Sequence, residues 1–148
     1  LNKKKEKSVI IGYTSGVFDL FHVGHLNMLR KSKALCDKLI VGVSTDNLVS
    51  YKNKKPVIPF QERIEIIQSI KYVDATIPQE NMNKIEAWGK LKFDVMFVGD
   101  DWYSTDKWNK IESELKELEV RIIYFPYTKN TSSTLINKTL LNLKSNSS

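Results

Sequence analysis

The chain has 148 residues, 41% of them hydrophobic, which suits one globular domain with an ordinary core and calls for no second one. No apolar stretch approaches the roughly 20 residues that span a bilayer, and the single cysteine, Cys36, rules out an internal disulfide and fits a reducing compartment, so a cytoplasmic location is expected. The net charge of +6 comes from an N-terminal run (Lys3, Lys4, Lys5, Lys7) and from an internal cluster (Lys52, Lys54, Lys55); the first reads as a solvated leader, the second as a loop able to gather around a polyanion. Aromatic residues do not interleave with either cluster, so nucleic acid is not expected as a partner.

Hydrophobic runs and helical periods then alternate along the chain. Residues 9–13 read as a strand, 23–36 as an amphipathic helix, and 38–44 as a strand rich in β-branched residues. A helix is expected over 60–71, with Pro59 just inside its start, followed by a short strand at 75–77 and a helix at 84–91. Residues 95–98 read as a buried strand, 108–118 as a helix with Ile111, Leu115 and Leu118 on one face, 121–125 as a strand and 135–143 as a closing helix. Five strand–helix alternations predict an α/β fold, a doubly wound five-stranded parallel sheet, within one domain over residues 9–143. Residues 1–8 are expected to be a mobile leader and 144–148 a disordered polar tail.

In such a sheet, ligands meet the carboxyl ends of the strands. The unusual residues fall there: residues 16–25 after the first strand, Ser44-Thr45-Asp46 and the lysine loop after the second, Gly99-Asp100-Asp101-Trp102 after the fourth, and residues 128–134 after the fifth. Residues 16–25 hold both histidines of the chain, His22 and His25. If the helix starts at Val23, then Gly24 and His25 lie in its first turn, where unpaired N–H groups and the dipole collect phosphate. Two imidazoles one turn apart can then face the same anion and donate to it, and Gly24 lets the backbone come close. A catalytic zinc takes three protein ligands as a rule, and Cys36 with scattered carboxylates makes a poor third, so no protein-bound metal is expected.

At Gly16, Phe18, Asp19, His22, Gly24 and His25 the chain matches G-x-F-D-x-x-H-x-G-H and so resembles the nucleotidyltransferase superfamily, whose members carry this motif after the first strand of a Rossmann-like domain. Class I aminoacyl-tRNA synthetases share H-x-G-H, but they are far longer and carry a K-M-S-K-S loop, and neither holds here. The resemblance covers about residues 10–141 and is strongest to the cytidylyltransferases that act on glycerol 3-phosphate. They share G-D-D-W at residues 99–102, a segment like Ile70-Lys71-Tyr72-Val73-Asp74, lysines in the loop before the second long helix, and an arginine at its start.

That resemblance implies a Mg-CTP-dependent transfer of CMP to a small phosphorylated alcohol, by a homodimer. It implies that His22 and His25 stabilise the transferring phosphoryl group, with Lys54 and Arg63 neutralising phosphates beside them. Gly16, Val17, Phe18, Gly24, Lys52 and Asp101 would line the nucleotide, with Thr128, Ser132 and Ser133 at the triphosphate. Asp19, Asp46 and Lys52 would meet the acceptor; by itself, Asp19 reads equally well as a turn residue bonding its own backbone. The chain departs from the group's R-T-x-G-I-S-T-T by Tyr127, Asn130 and Thr131, and from its usual threonine by Val17. Ser132-Ser133-Thr134 also matches the S-S-T of several adenylyltransferases, which keeps ATP and other phospho-acceptors open.

Overall fold

The computed structural model describes residues 9–50, 55–99 and 106–126. Five strands, β1 (Ile11–Gly16), β2 (Lys38–Ser44), β3 (Ala75–Gln79), β4 (Val95–Gly99) and β5 (Arg121–Phe125), alternate with helices α1 (Val23–Ala34), α2 (Asp46–Ser50), α3 (Phe60–Gln68), α4 (Lys84–Leu91) and α5 (Asp106–Glu117). All strand pairs are parallel and the order is β3-β2-β1-β4-β5. This is the expected α/β, Rossmann-like architecture. Strand order reverses beside β1, because the chain winds outward through β2 and β3 and then returns to β4 on the other side. The crevice at the carboxyl end of β1 is therefore where a ligand site belongs.

Both faces of the sheet are covered. Leu39, Val41, Val43 and Phe97 join Phe18, Leu29 and Ile67 on the face under α1 and α3. Tyr13, Ile40, Met96 and Val98 join Trp108 and Leu115 on the face under α4 and α5. Among the described residues no helix is long and apolar enough to cross a membrane.

Several boundaries differ from the sequence expectation. β1 begins at Ile11 and runs on to Gly16, because the polar side chains of Thr14 and Ser15 find buried partners: Thr14 Oγ1 donates to the Phe97 carbonyl at 2.9 Å, and Ser15 Oγ accepts from Lys84 Nζ, at the start of α4, at 2.7 Å. α1 ends at Ala34 and α3 at Gln68, short of Cys36 and Lys71. Pro59 is the N-cap of α3, one residue outside its first turn. β3 continues through Pro78 to Gln79, which its place at the sheet edge permits, since an edge strand has one side needing no ladder donors. α2 was not foreseen; the Thr45 carbonyl accepts from Val49 N and its hydroxyl from Leu48 N, which turns the expected loop into a short helix. The expected helix at 135–143 lies outside the described residues.

Candidate active site

The site is built from the carboxyl end of β1 outward. Leaving the strand, the backbone takes left-handed conformations at two residues that are not glycine, Phe18 (φ 54°) and Leu20 (φ 49°). Such strain persists only where surroundings enforce it. Phe18 is 5% exposed, locked in the core beneath α1. A Cβ on Gly16 would lie 3.2 Å from the Phe18 ring, so the glycine makes room for this turn.

His22 is the N-cap of α1. Its Nδ1 accepts from Gly24 N–H at 3.0 Å, and its own N–H donates to His25 Nδ1 at 3.2 Å, a capping box made of two imidazoles. A backbone N–H can only donate, so both Nδ1 atoms are unprotonated and each neutral ring carries its proton on Nε2. The rings stack with centroids 4.0 Å apart, and His25 is further bracketed by Phe21 at 5.3 Å and by the edge of Phe18 at 5.5 Å. Burial, then the neighbouring His22, bring the His25 pKa down to about 4 against the opposing pull of Asp19, and burial lowers that of His22. At neutral pH the pair thus presents two neutral N–H donors beside the N-terminus of a helix.

The Asp19 carboxylate reaches across to the segment before α3, where Oδ2 accepts from Val57 N–H at 2.8 Å and Oδ1 from Ile58 N–H at 2.9 Å. Arg63, expected at the phosphates, instead has a side chain with no exposed surface. Its Nε donates to the Ile58 carbonyl (2.8 Å), Nη1 to the carbonyls of Val17 (2.8 Å) and Ser44 (2.7 Å), and Nη2 to Asp46 Oδ1 (2.7 Å). Asp46 is about half exposed and also accepts from Phe60 N–H at 3.2 Å. Burial opposes its ionisation, but Arg63 and that N–H outweigh the penalty and hold its pKa below the ordinary carboxylate value. Asp46, Asn47, Ser50, Lys55, Val57 and the two prolines 56 and 59 line an open cleft of about 550 Å3.

One buried charge at the strand ends was not foreseen. Lys84, the first residue of α4, is 5% exposed, and its Nζ donates to Ser15 Oγ (2.7 Å) and Gln79 Oε1 (2.8 Å); Gln79 Nε2 in turn donates to Ser44 Oγ (3.1 Å). The Tyr13 hydroxyl joins through Ser15, its pKa pushed up to about 12 by burial despite that bond. No sequence signal marks Lys84, because a single lysine at a helix start reads as solvated.

The structure thus gathers Gly16, Val17, Phe18, Asp19, His22, Gly24, His25, Asp46 and Arg63 at one end of the sheet. Lys52, Lys54, Asp101, Thr128, Ser132 and Ser133 lie outside the described residues, as do Tyr127, Asn130 and Thr131. Among the described residues no group of three or more His, Cys, Asp or Glu side chains could hold a metal ion.

A parallel α/β sheet with an H-x-G-H turn capping the helix after its first strand places this protein among the nucleotidyltransferases. More narrowly, the chain belongs to the cytidylyltransferase-like family, whose model matches residues 13–139. It is 37% identical over 131 residues to the glycerol-3-phosphate cytidylyltransferase of Bacillus spizizenii, covering 88% of this chain and 96% of that protein. It is also 35% identical over 109 residues to the FAD synthase of Archaeoglobus fulgidus, covering 74% and 79%. Among solved structures, the lipopolysaccharide core biosynthesis protein of Thermoplasma volcanium superposes with a TM-score of 0.70 at 27% identity, over 84% of this chain and all of that one. The pantoate-beta-alanine ligase of Francisella tularensis shares the fold at a TM-score of 0.62 and 16% identity, over 91% of this chain and 70% of that one.

Proposed function

We propose that the protein is a cytidylyltransferase that transfers CMP from Mg-CTP to a phosphorylated alcohol, with glycerol 3-phosphate as the acceptor, giving CDP-glycerol and pyrophosphate. A phosphate oxygen of the acceptor attacks the α-phosphorus of CTP in line, the bond from that phosphorus to the bridging oxygen breaks, and pyrophosphate leaves with the electron pair. No covalent intermediate with the protein forms. The observation that carries this reading is the imidazole pair, whose Nδ1 atoms are occupied by backbone N–H groups, so that each ring has its proton on Nε2 and can donate it to a phosphate oxygen. Preorganised donors of this kind stabilise charge as it develops and need no reorganisation during the reaction.

In this scheme His22 and His25 meet the transferring phosphoryl group and the departing pyrophosphate. Lys52 and Lys54 neutralise the triphosphate, Thr128, Ser132 and Ser133 hold it, and Gly24 lets the backbone approach. Gly16, Val17 and Asp101 line the nucleoside side and Asp46 and Lys52 face the acceptor, while the buried Phe18 and Asp19 shape the turn beneath them instead of meeting the substrates as the resemblance implied. Mg2+ arrives on the triphosphate, as suits an ion that keeps several waters and binds mainly through substrate phosphates. Identity to glycerol-3-phosphate cytidylyltransferases over nearly the whole chain supports CTP and this acceptor. The product would feed bacterial teichoic acid or capsule assembly, in the cytoplasm and from a homodimer.

Comparable identity to FAD synthases favours one second reading, adenylyl transfer from ATP, in keeping with Ser132-Ser133-Thr134. Pyrophosphate release separates the two when CTP and ATP are crossed against glycerol 3-phosphate, glycerol 2-phosphate, phosphocholine, phosphoethanolamine, sugar phosphates and FMN. Release with CTP and glycerol 3-phosphate alone is the expected result. Release with ATP, or with another acceptor only, moves the protein to a neighbouring specificity, and silence with every pair removes the transferase reading.

A further inference from the structure

Arg63 is a fully enclosed charge, and three of its four donations go to backbone carbonyls, the fourth to Asp46. The guanidinium holds the Val17 carbonyl, in the turn that leads into His22, and the Ile58 carbonyl, in the segment that leads from the lysine loop into α3. Asp19 holds the same two segments from the other side, taking the N–H of Val57 and the N–H of Ile58. Ile58 is therefore gripped at both its donor and its acceptor by two side chains of opposite charge. Residues 17–19 and 57–58 lie about forty positions apart in sequence and are joined through these bonds.

We propose that Arg63 is a positioning residue of the transfer reaction, which with Asp19 straps Ile58 to Val17 so that the segment entering α3 and the turn that carries the histidine pair share one frame. The assignment rests on the nucleotidyl-transfer reading of the site, and it differs from a phosphate-binding arginine in what the side chain touches. Four donations from a planar fork to acceptors on three separate segments and on Asp46 need a guanidinium; a lysine has the charge but not the spread. Catalysis by positioned donors is sensitive to this, because displacement of about 1 Å remote from the chemistry can reduce rate by on the order of a hundredfold.

The test uses the full chain as Arg63→Lys and Arg63→Met, assayed well below their melting temperatures with turnover normalised to folded protein. Amide exchange at Val57 and Ile58 is read by NMR without nucleotide, and kcat and nucleotide KM are measured at low and high salt. Arg63→Lys should speed exchange of those two amides, neither of which touches Arg63, and lower kcat by about tenfold to a hundredfold. Arg63→Met should keep the wild-type salt dependence of the nucleotide KM, since no phosphate contact is lost. Wild-type kcat in Arg63→Lys, or a flattened salt dependence in Arg63→Met, overturns the proposal in favour of a direct phosphate contact. Lowered kcat with unchanged exchange overturns the strap. If Arg63→Met does not fold, Arg63→Lys decides by its kcat and exchange together. Wild-type protein that releases no pyrophosphate with any substrate pair overturns the transfer reading itself and this role with it, and that failure is visible before either variant is made.

Discussion

The backbone N–H of His22 donates to Nδ1 of His25, and through this bond the two histidines close the first turn of α1 with both Nδ1 atoms engaged by backbone. Helix starts are usually capped by a serine, threonine or aspartate with a glutamate three residues on. Here imidazoles fill both places, so the fold uses Nδ1 of each ring and the ring proton sits on Nε2. The H-x-x-H spacing is thus required by the cap geometry, and on the proposed function it serves a second time by letting both rings donate to one anion.

Replacing His25 separates these two uses. His25→Ala leaves the Gly24 to His22 bond in place and loses one capping acceptor, so stability should fall by about 0.5–2 kcal/mol in a urea titration. Turnover should fall roughly a hundredfold to a thousandfold, the loss associated with about 2.7–4 kcal/mol of transition-state stabilisation from one donor. Pyrophosphate release at a wild-type rate in the folded variant would take His25 out of the mechanism.

The same geometry sets a pH dependence of stability. In the unfolded chain His25 titrates near its ordinary 6.5, whereas in the fold it stays neutral down to about 4. Between these values the unfolded state binds the extra proton, so stability rises with pH across the window and is lost as pH falls from 6.5 toward 4. His22 is lowered as well, which adds in the same direction, and Asp46 and Asp74, held below 3.8, lose their contribution at still lower pH. Urea midpoints measured from pH 7 to pH 4 should therefore decline more steeply for wild type than for His25→Asn, which has no titrating group there. Parallel curves would mean that the His25 ring is protonated in the fold as readily as out of it.

What could be read in the sequence was the part that repeats or clusters. Alternating apolar runs located all five strands, and ten consecutive residues carried the motif, because local spacing alone decides that His22, Gly24 and His25 meet at one helix start. The rest depends on contacts between distant segments. Asp37, Asp74 and Asp94 each stand just before a strand and accept a backbone N–H, from Ile10, Leu39 and Ile11 respectively, at the amino end of the sheet, yet singly each looks like a loop aspartate. Lys84 reads as surface until Ser15 and Gln79 close around its amine. Resemblance led to the expectation of Arg63 at the phosphates, but its partners lie on Val17, Ser44, Asp46 and Ile58, and spacing along the chain says nothing about which acceptors a buried guanidinium will find.

Gly12 offers a test of how tightly the face under α1 is filled. It sits in the central strand, paired with Leu39 on one side and Val95 on the other, so its backbone cannot step aside. A Cβ there would lie 2.7 Å from both Cys36 Sγ and Phe97 Cε2. The Phe97 ring is fully buried and stacked on Phe125 with centroids 5.6 Å apart, so it has little room to turn, while the half-buried Cys36 side chain can rotate. Gly12→Ala should therefore lose about 1–3 kcal/mol, the usual range for overpacking a filled core. Adding Cys36→Ala removes the sulfur but leaves the ring, and the double variant should recover part of that loss and not all of it, a coupling expected of residues in contact. Chemical denaturation of the two single variants and the double one measures both quantities. A Gly12→Ala midpoint equal to wild type would show that β1 and the Phe97 ring can separate freely, and a full recovery in the double variant would assign the whole clash to Cys36.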